Sequence, residues 1–311
     1  MYYGKQYAER IKSLKATTNL SHRGIAEKLG CSPRTVRRYA ESRCPTERRR
    51  RGKILLFDIE TSPMEVYVWG LHDKRNQYIS PENVIKDWAV LSWAGKWLFE
   101  SDVVSQVATP EEAEARDDAR ILKGIWDLFE KADIIVAHNA FNFDVRRLNA
   151  RFIINDFGPN TPYRVIDTLK EARKVFDFPS YKLDALNERF GLSKKVETNF
   201  KLWVRCITGG RKALREMQHY NKSDVVALEE LYLALRPWIK SHPPMSLYHD
   251  MIDAICCPTC ESEKLNWNGN YTTPAGKYKS FRCNNCGAIG RSRYSCLEKD
   301  ERENLVISTA R

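Results

Sequence analysis

The 311-residue chain reads as an α/β protein: a layered domain with a mixed sheet flanked by helices, between a small all-helical segment and a cysteine-rich tail. Three observations predict this. Apolar, strand-like runs give way to alternating helix-like and strand-like stretches over residues 54–240. Up to residue 53 there are 15 Lys and Arg against 4 Asp and Glu, which is the whole net charge of +11. Two C-x2-C pairs stand close together beyond residue 250.

The basic segment, 1–44, carries "LSHRGIAEKLGCSPRTVRRYAES". Ser21 suits the cap of a helix whose Ile25, Ala26 and Leu29 share one face, and Gly30 and Cys31 suit a tight turn. Ser32 and Pro33 then suit the start of a second helix, with Val36 inward and Arg34, Thr35, Arg37 and Arg38 outward. This pattern resembles the helix-turn-helix of resolvases, regulators and transposases. The resemblance implies that the second helix enters the major groove of DNA with those four residues. A small helical domain for protein contact has the same pattern, but the charge favours a polyanion. Residues 45–53, with Arg48 to Arg51 in a row, read as a basic linker.

In the middle segment "KILLFDIE" predicts a first strand, and "EVYVWG" (65–70) and "WAVLSWAGKW" (88–97) predict further strands at hairpin-like spacing. Residues 110–132 predict one long helix with acid in its first turns. "DIIVAH" (133–138) predicts a short buried strand, "FDVRRLNARF" (143–152) a helix and "YRVIDT" (163–168) a strand, after which helices dominate to Trp238.

Asp58 and Glu60 fall two apart at the end of the first strand, so both carboxylates point to one face. Asp144 follows the 133–138 strand at the start of a helix, and Asp224 sits in a helix with Tyr220 one turn before it. Alone, Asp144 is a common helix-start acid, Tyr220 a packed aromatic and Asp224 a surface ion-pair partner. Together, four carboxylates brought to one place repel unless divalent cations join them, and hard oxygen ligands suit Mg²⁺ or Mn²⁺.

"FDIET", "HNAFNFD" and "YNKSD" resemble the three motifs of the DEDD 3′–5′ exonuclease superfamily, in its tyrosine-bearing (DEDDy) branch, over residues 54–235. The resemblance implies an RNase H-like fold and a two-metal phosphodiester hydrolase. It assigns Asp58 to bridge both metals, Glu60 and Asp224 to complete one metal site and Asp144 to hold the second metal. Tyr220 would orient the attacking water, and Thr61, Asn139 and Phe143 would line the terminal nucleotide.

In the tail, Cys257-x2-Cys260 and Cys283-x2-Cys286 supply four thiolates, the donor set of one structural Zn²⁺. With a hairpin over the intervening residues, 250–295 resemble a zinc ribbon. Two disulfides are the alternative, and Cys256 competes with Cys257 as ligand.

No stretch reaches the roughly 18 apolar residues of a membrane span. The start of the chain lacks an apolar h-region, so a soluble, intracellular (cytoplasmic) protein is expected. The expected partner is nucleic acid, DNA rather than RNA, in a mobile-element or phage-like setting. An RNase H-fold transposase or recombinase-like endonuclease and a non-catalytic DNA-binding regulator are the competing functions. The Glu two residues after Asp58 and the complete set of acids favour the exonuclease.

Overall fold

In a computed structural model the described residues are 10–11, 13–15, 18, 20–30, 33, 36, 52–70, 79–193, 198–249, 252 and 254–306. The chain divides into two compact units, Met1–Arg49 and Arg50–Arg311.

In the first unit, Ser21 accepts from the Gly24 amide at 3.3 Å and caps α1 (His22–Leu29). Gly30, at φ +62°, closes the helix in the left-handed conformation that glycine adopts without strain. Ile11, Ile25, Ala26 and Val36 bury one another. Residues 10–11 and 13–15 are also helical, in keeping with the all-helical reading of this segment. Arg34, Thr35, Arg37 and Arg38, with linker residues 45–51, lie outside the described residues.

The second unit is built on a five-stranded sheet. Its strands are β1 (Ile54–Thr61), β4 (Val90–Trp97), β5 (Val103–Val107), β6 (Ile134–Ala137) and β7 (Arg164–Asp167), in spatial order β5-β4-β1-β6-β7. β1 pairs antiparallel with β4 and parallel with β6, which makes it the centre of a mixed sheet. β2 (Glu65–Val66) and β3 (Val84–Lys86) pair separately. The helices are α2 (Pro110–Ala115), α3 (Ala119–Phe129), α4 (Asp144–Ile154), α5 (Thr168–Val175), α6 (Leu183–Phe190), α7 (Phe200–Ile207) and α8 (Arg211–Leu235). A three-stranded sheet of β8 (Leu265–Thr273), β9 (Gly276–Cys283) and β10 (Ile289–Ser295) follows, and then α9 (Lys299–Glu303).

β1 is apolar on both faces because helices cover both. Leu55, Phe57 and Ile59 pack with Ile121, Ile125 and Phe129 of α3 and Leu148 of α4. Ile54 and Leu56 pack on the other face with Val225, Leu228 and Tyr232 of α8. Truncating Phe57, whose ring meets Phe129 edge-on at 4.8 Å, would cost about 3–5 kcal/mol by the usual price of such a cavity. Gly124 lets α3 lie close to the sheet: a Cβ there would stand 2.6 Å from the Trp93 ring.

Several expectations are corrected. The long 110–132 helix is two helices. Thr109 and Glu112 form a capping box at the start of α2, and Arg116 leaves the helix at φ +61°. The break sends buried Asp118 inward, where it accepts from the Val90 amide at 2.9 Å and from two nitrogens of Arg151 at 2.8 Å each. The 65–70 strand reduces to Glu65–Val66, outside the main sheet, because Tyr67 and Trp69 are exposed and no layer covers them. The strand antiparallel to β1 is therefore β4. The strands β3, β5 and β10 had no sequence prediction, and of these β5 and β10 belong to the larger sheets. Both are short and half exposed, so they lack a long apolar run.

Candidate active site

Asp58 and Glu60 continue the row begun by Ile54 and Leu56, so they face α8. Their cross-strand partners on β4 are small, Ala94 opposite Asp58 and Ser92 opposite Glu60. On α8, Tyr220, Asn221 and Asp224 are all buried. The fold thereby brings carboxylate oxygens of Asp58, Glu60 and Asp224 within 4.8 Å of one another. Like charges about 4 Å apart repel by roughly 4 kcal/mol at an effective dielectric of about 20, so the arrangement suits a counter-cation.

Asp144 is placed by a different route. β6 ends at Ala137, and the chain turns through Asn139 at φ +74°. The carboxylate of Asp167, in β7, pins that turn by accepting from the amides of Asn139 (3.1 Å) and Phe141 (3.2 Å), while also capping α5. Asp144 then opens α4, and its carboxyl lies close to the amide of Ile59, between the two acids of β1. It is outside the three-acid group but beside it. Burial pushes its pKa up to about 7, against the pull of the Asp144 and Ile59 amides; the Asp167 charge adds to the rise and Arg147 opposes it. One of its oxygens, Oδ1, is buried without a hydrogen-bond partner. Three clustered carboxylates and this unsatisfied oxygen fit hard divalent cations such as Mg²⁺ or Mn²⁺.

A bulge between Glu60 and Thr61 re-aims the end of β1, as bulges beside functional sites commonly do. The hydroxyl of Thr61 accepts from Arg147, and the Arg147 guanidinium lies between the rings of Trp88 (4.7 Å) and Phe143 (4.5 Å). Thr61, Asn139 and Phe143 therefore sit on the rim formed by the end of β1 and the turn into α4. Tyr220 packs edge-on against Trp203 at 6.1 Å. His138 is occupied structurally, bonded to the Thr168 hydroxyl and the Tyr181 carbonyl.

Sequence reasoning missed three contributors. Asn221 donates to Asp58 Oδ2 at 2.6 Å and accepts from Ser92 Oγ at 3.1 Å. It lies three residues before Asp224 on the same helix face, and that spacing was the available signal. Asp167 and Arg147 hold the second and first motif segments, and the sequence reading gave neither a role.

In the tail, the Sγ atoms of Cys257, Cys260, Cys283 and Cys286 all lie within 4.8 Å of one another. The Cys257–Cys286 and Cys260–Cys283 separations are 3.7 and 3.6 Å. A tetrahedron of thiolates about 2.3 Å from zinc has sulfur edges of about 3.8 Å, so the donors fit Zn²⁺. Burial raises the Cys283 thiol, but the amides of Cys286 and Asn285 and the neighbouring thiols outweigh it and bring it down to about 7. Cys256 is outside the group.

Among the described residues no helix is long and apolar enough to cross a membrane. No curated protein matches the chain. Residues 90–236 match the family model RNase_H_2 of the RNase_H superfamily. The match takes in Asp144, Asn221 and Asp224 but starts after β1; the strand pairing joins Asp58 and Glu60 to it. The mixed sheet with helices on both faces agrees with an RNase H-like fold, which points to nuclease-type activity on nucleic acid with divalent metal.

Proposed function

We propose that the protein is a 3′–5′ exonuclease that hydrolyses phosphodiester bonds of nucleic acid, DNA before RNA, by a two-metal mechanism. The observation that carries this reading is the meeting of Asp58, Glu60 and Asp224 within 4.8 Å under α8, with Asp144 beside them. When bound, two Mg²⁺ or Mn²⁺ ions supply a nucleophile at neutral pH and stabilise the charge of the attacking and leaving oxygens. Asp58 would serve both ions, Glu60 and Asp224 would complete one set of ligands, and Asp144 would serve the other. Tyr220 orients the attacking water and Glu60 accepts from it. Thr61, Asn139 and Phe143 line the terminal nucleotide, with Arg147 holding Thr61 in place.

In the same reading, Arg34, Thr35, Arg37 and Arg38 contact DNA from the first unit, and Cys257, Cys260, Cys283 and Cys286 hold one structural Zn²⁺. The deciding experiment offers 3′-labelled and 5′-labelled single- and double-stranded DNA and RNA, with a circular DNA control, to the protein in Mg²⁺ or Mn²⁺. Stepwise release from the 3′ end, lost in Asp58→Ala and Asp224→Ala, is the expected result. Cleavage of the circle would replace the exonuclease by an endonuclease.

A further inference from the structure

The three-stranded sheet of the tail has two chemically different faces. The register sets Tyr271 opposite Tyr278, Arg291 opposite Ser280, and both Ile289 and Asn266 opposite Arg282. Tyr278, Ser280 and Arg282 alternate with Lys277, Lys279 and Phe281, so one face carries Tyr271, Tyr278, Arg282 and Arg291. Phe281, Cys283 and the two lysines belong to the other, where Trp267 packs on Phe281 at 5.1 Å. The basic residues of the tail are therefore not one patch.

The first face is a built platform. Gly276 has no side chain, and a Cβ there would lie 2.9 Å from the Tyr278 hydroxyl, so the Tyr278 ring lies down over the glycine along the sheet. The Arg291 guanidinium rests 4.0 Å from the centre of that ring and 5.6 Å from the centre of Tyr271. One of its nitrogens donates to the Ser292 carbonyl at 3.1 Å. Arg291 is thus pre-oriented by Tyr278 beneath it, its outer side open to solvent, with the half-exposed ring of Tyr271 adjoining and Arg282 further along.

The geometry points to a binding site for single-stranded nucleic acid on this face, with bases stacking on the Tyr271 ring and the Arg291 guanidinium and phosphates meeting Arg282. Stacking surfaces interleaved with cations are the chemistry that holds unpaired bases without reading sequence. A duplex hides its base faces and gains only from the charge. The site shares no residue with the acid cluster and does not depend on its chemistry. It gives the tail a role as a second hold on a strand.

The test uses the full chain carrying Asp58→Ala, so binding is read without cleavage and independently of the nuclease reading. Anisotropy of a fluorescein-labelled oligo(dT) and of a duplex of equal length is measured at several salt concentrations, with zinc content determined for every variant. Tyr271→Ala with Arg291→Ala should weaken oligo(dT) binding about tenfold, the scale of losing one stacked base. Tyr271→Phe, Lys279→Ala on the opposite face, and the duplex should change less than about twofold. Crosslinking with 4-thiothymidine in the otherwise intact protein should mark the Tyr271 or Arg291 peptide, a readout that needs no folded variant. Unchanged affinity in a zinc-retaining double variant, an equal loss from Lys279→Ala, or crosslinks confined to residues outside 265–295 would overturn the site.

Discussion

The side-chain amide of Asn221 donates to Oδ2 of Asp58 at 2.6 Å, and both groups are held by their neighbours. Asn221 is fully buried in α8, and its carbonyl oxygen is taken by Ser92 Oγ. That bond fixes which end of the amide faces the acid. Asn221→Ala should lower affinity for Mn²⁺ and the cleavage rate by about 10–100-fold, the usual effect of removing a partner behind a metal ligand. Raising Mn²⁺ should recover much of the rate, while KM for nucleic acid stays constant. Mn²⁺ titration calorimetry checks the binding half; an unaltered Mn²⁺ isotherm would show that Asp58 needs no such support.

In the proposed mechanism Tyr220 serves the chemistry and not the binding. It is one helical turn from Asp224, and its ring is fixed by Trp203, so Tyr220→Phe keeps the packing and removes only the hydroxyl. The expected result is a fall in kcat of about 10²-fold with unchanged metal affinity, because positioning a proton-transfer group is worth ~10²–10⁴. Asp224→Asn should instead lose metal affinity and rate together. If Tyr220→Phe also weakened Mn²⁺ binding, its hydroxyl would belong to the metal shell rather than to the water.

Asp144 links the site to stability. Its carboxyl is buried, and its pKa is raised to about 7, above the ordinary carboxylate value of about 4. A raised folded-state pKa means that its stabilising contribution is complete below about pH 4 and is lost as pH rises through 7. The metal-free protein should therefore be less stable at pH 8 than at pH 5.5 on this account, by about 2 kcal/mol. Asp144→Asn should flatten that dependence and raise Tm at pH 8, while abolishing cleavage. Denaturant titrations at the two pH values measure it. A pH slope unchanged by Asp144→Asn would assign the loss to another group.

The central strand and the acids were legible because their pattern is local: an apolar run covered on both faces, then two carboxylates at period two. The same holds for the Tyr220–Asp224 turn and the C-x2-C pairs. What could not be read depends on contacts distant in sequence. The break at Arg116 exists because Asp118 serves β4 and α4, and a run of acids, arginines and aliphatics written as "EEAEARDDARILKG" says helix throughout. The 65–70 run has β-prone residues but no layer to cover it. Asn221 and Asp167 are polar residues whose partners lie 163 and 28 positions away, and only the folded sheet chooses them.

The tail makes the last prediction. Among the described residues its buried cluster is Cys257, Cys283 and Ala288, with Cys260, Leu265 and Cys286 partly covered, and Phe281 is buried beside Trp267. So small an apolar core cannot offset the ordering of three strands, and four thiolates turned toward one point repel unless a cation joins them. One Zn²⁺ per chain should accompany the purified protein. Cys283→Ser should release it and unfold residues 265–295, seen as loss of hydrogen-exchange protection there. The main sheet has its own cores on both faces of β1 and should keep its protection. Retained protection across 265–295 in a zinc-free protein would mean that side-chain packing, including Trp267 on Phe281, suffices to hold the sheet.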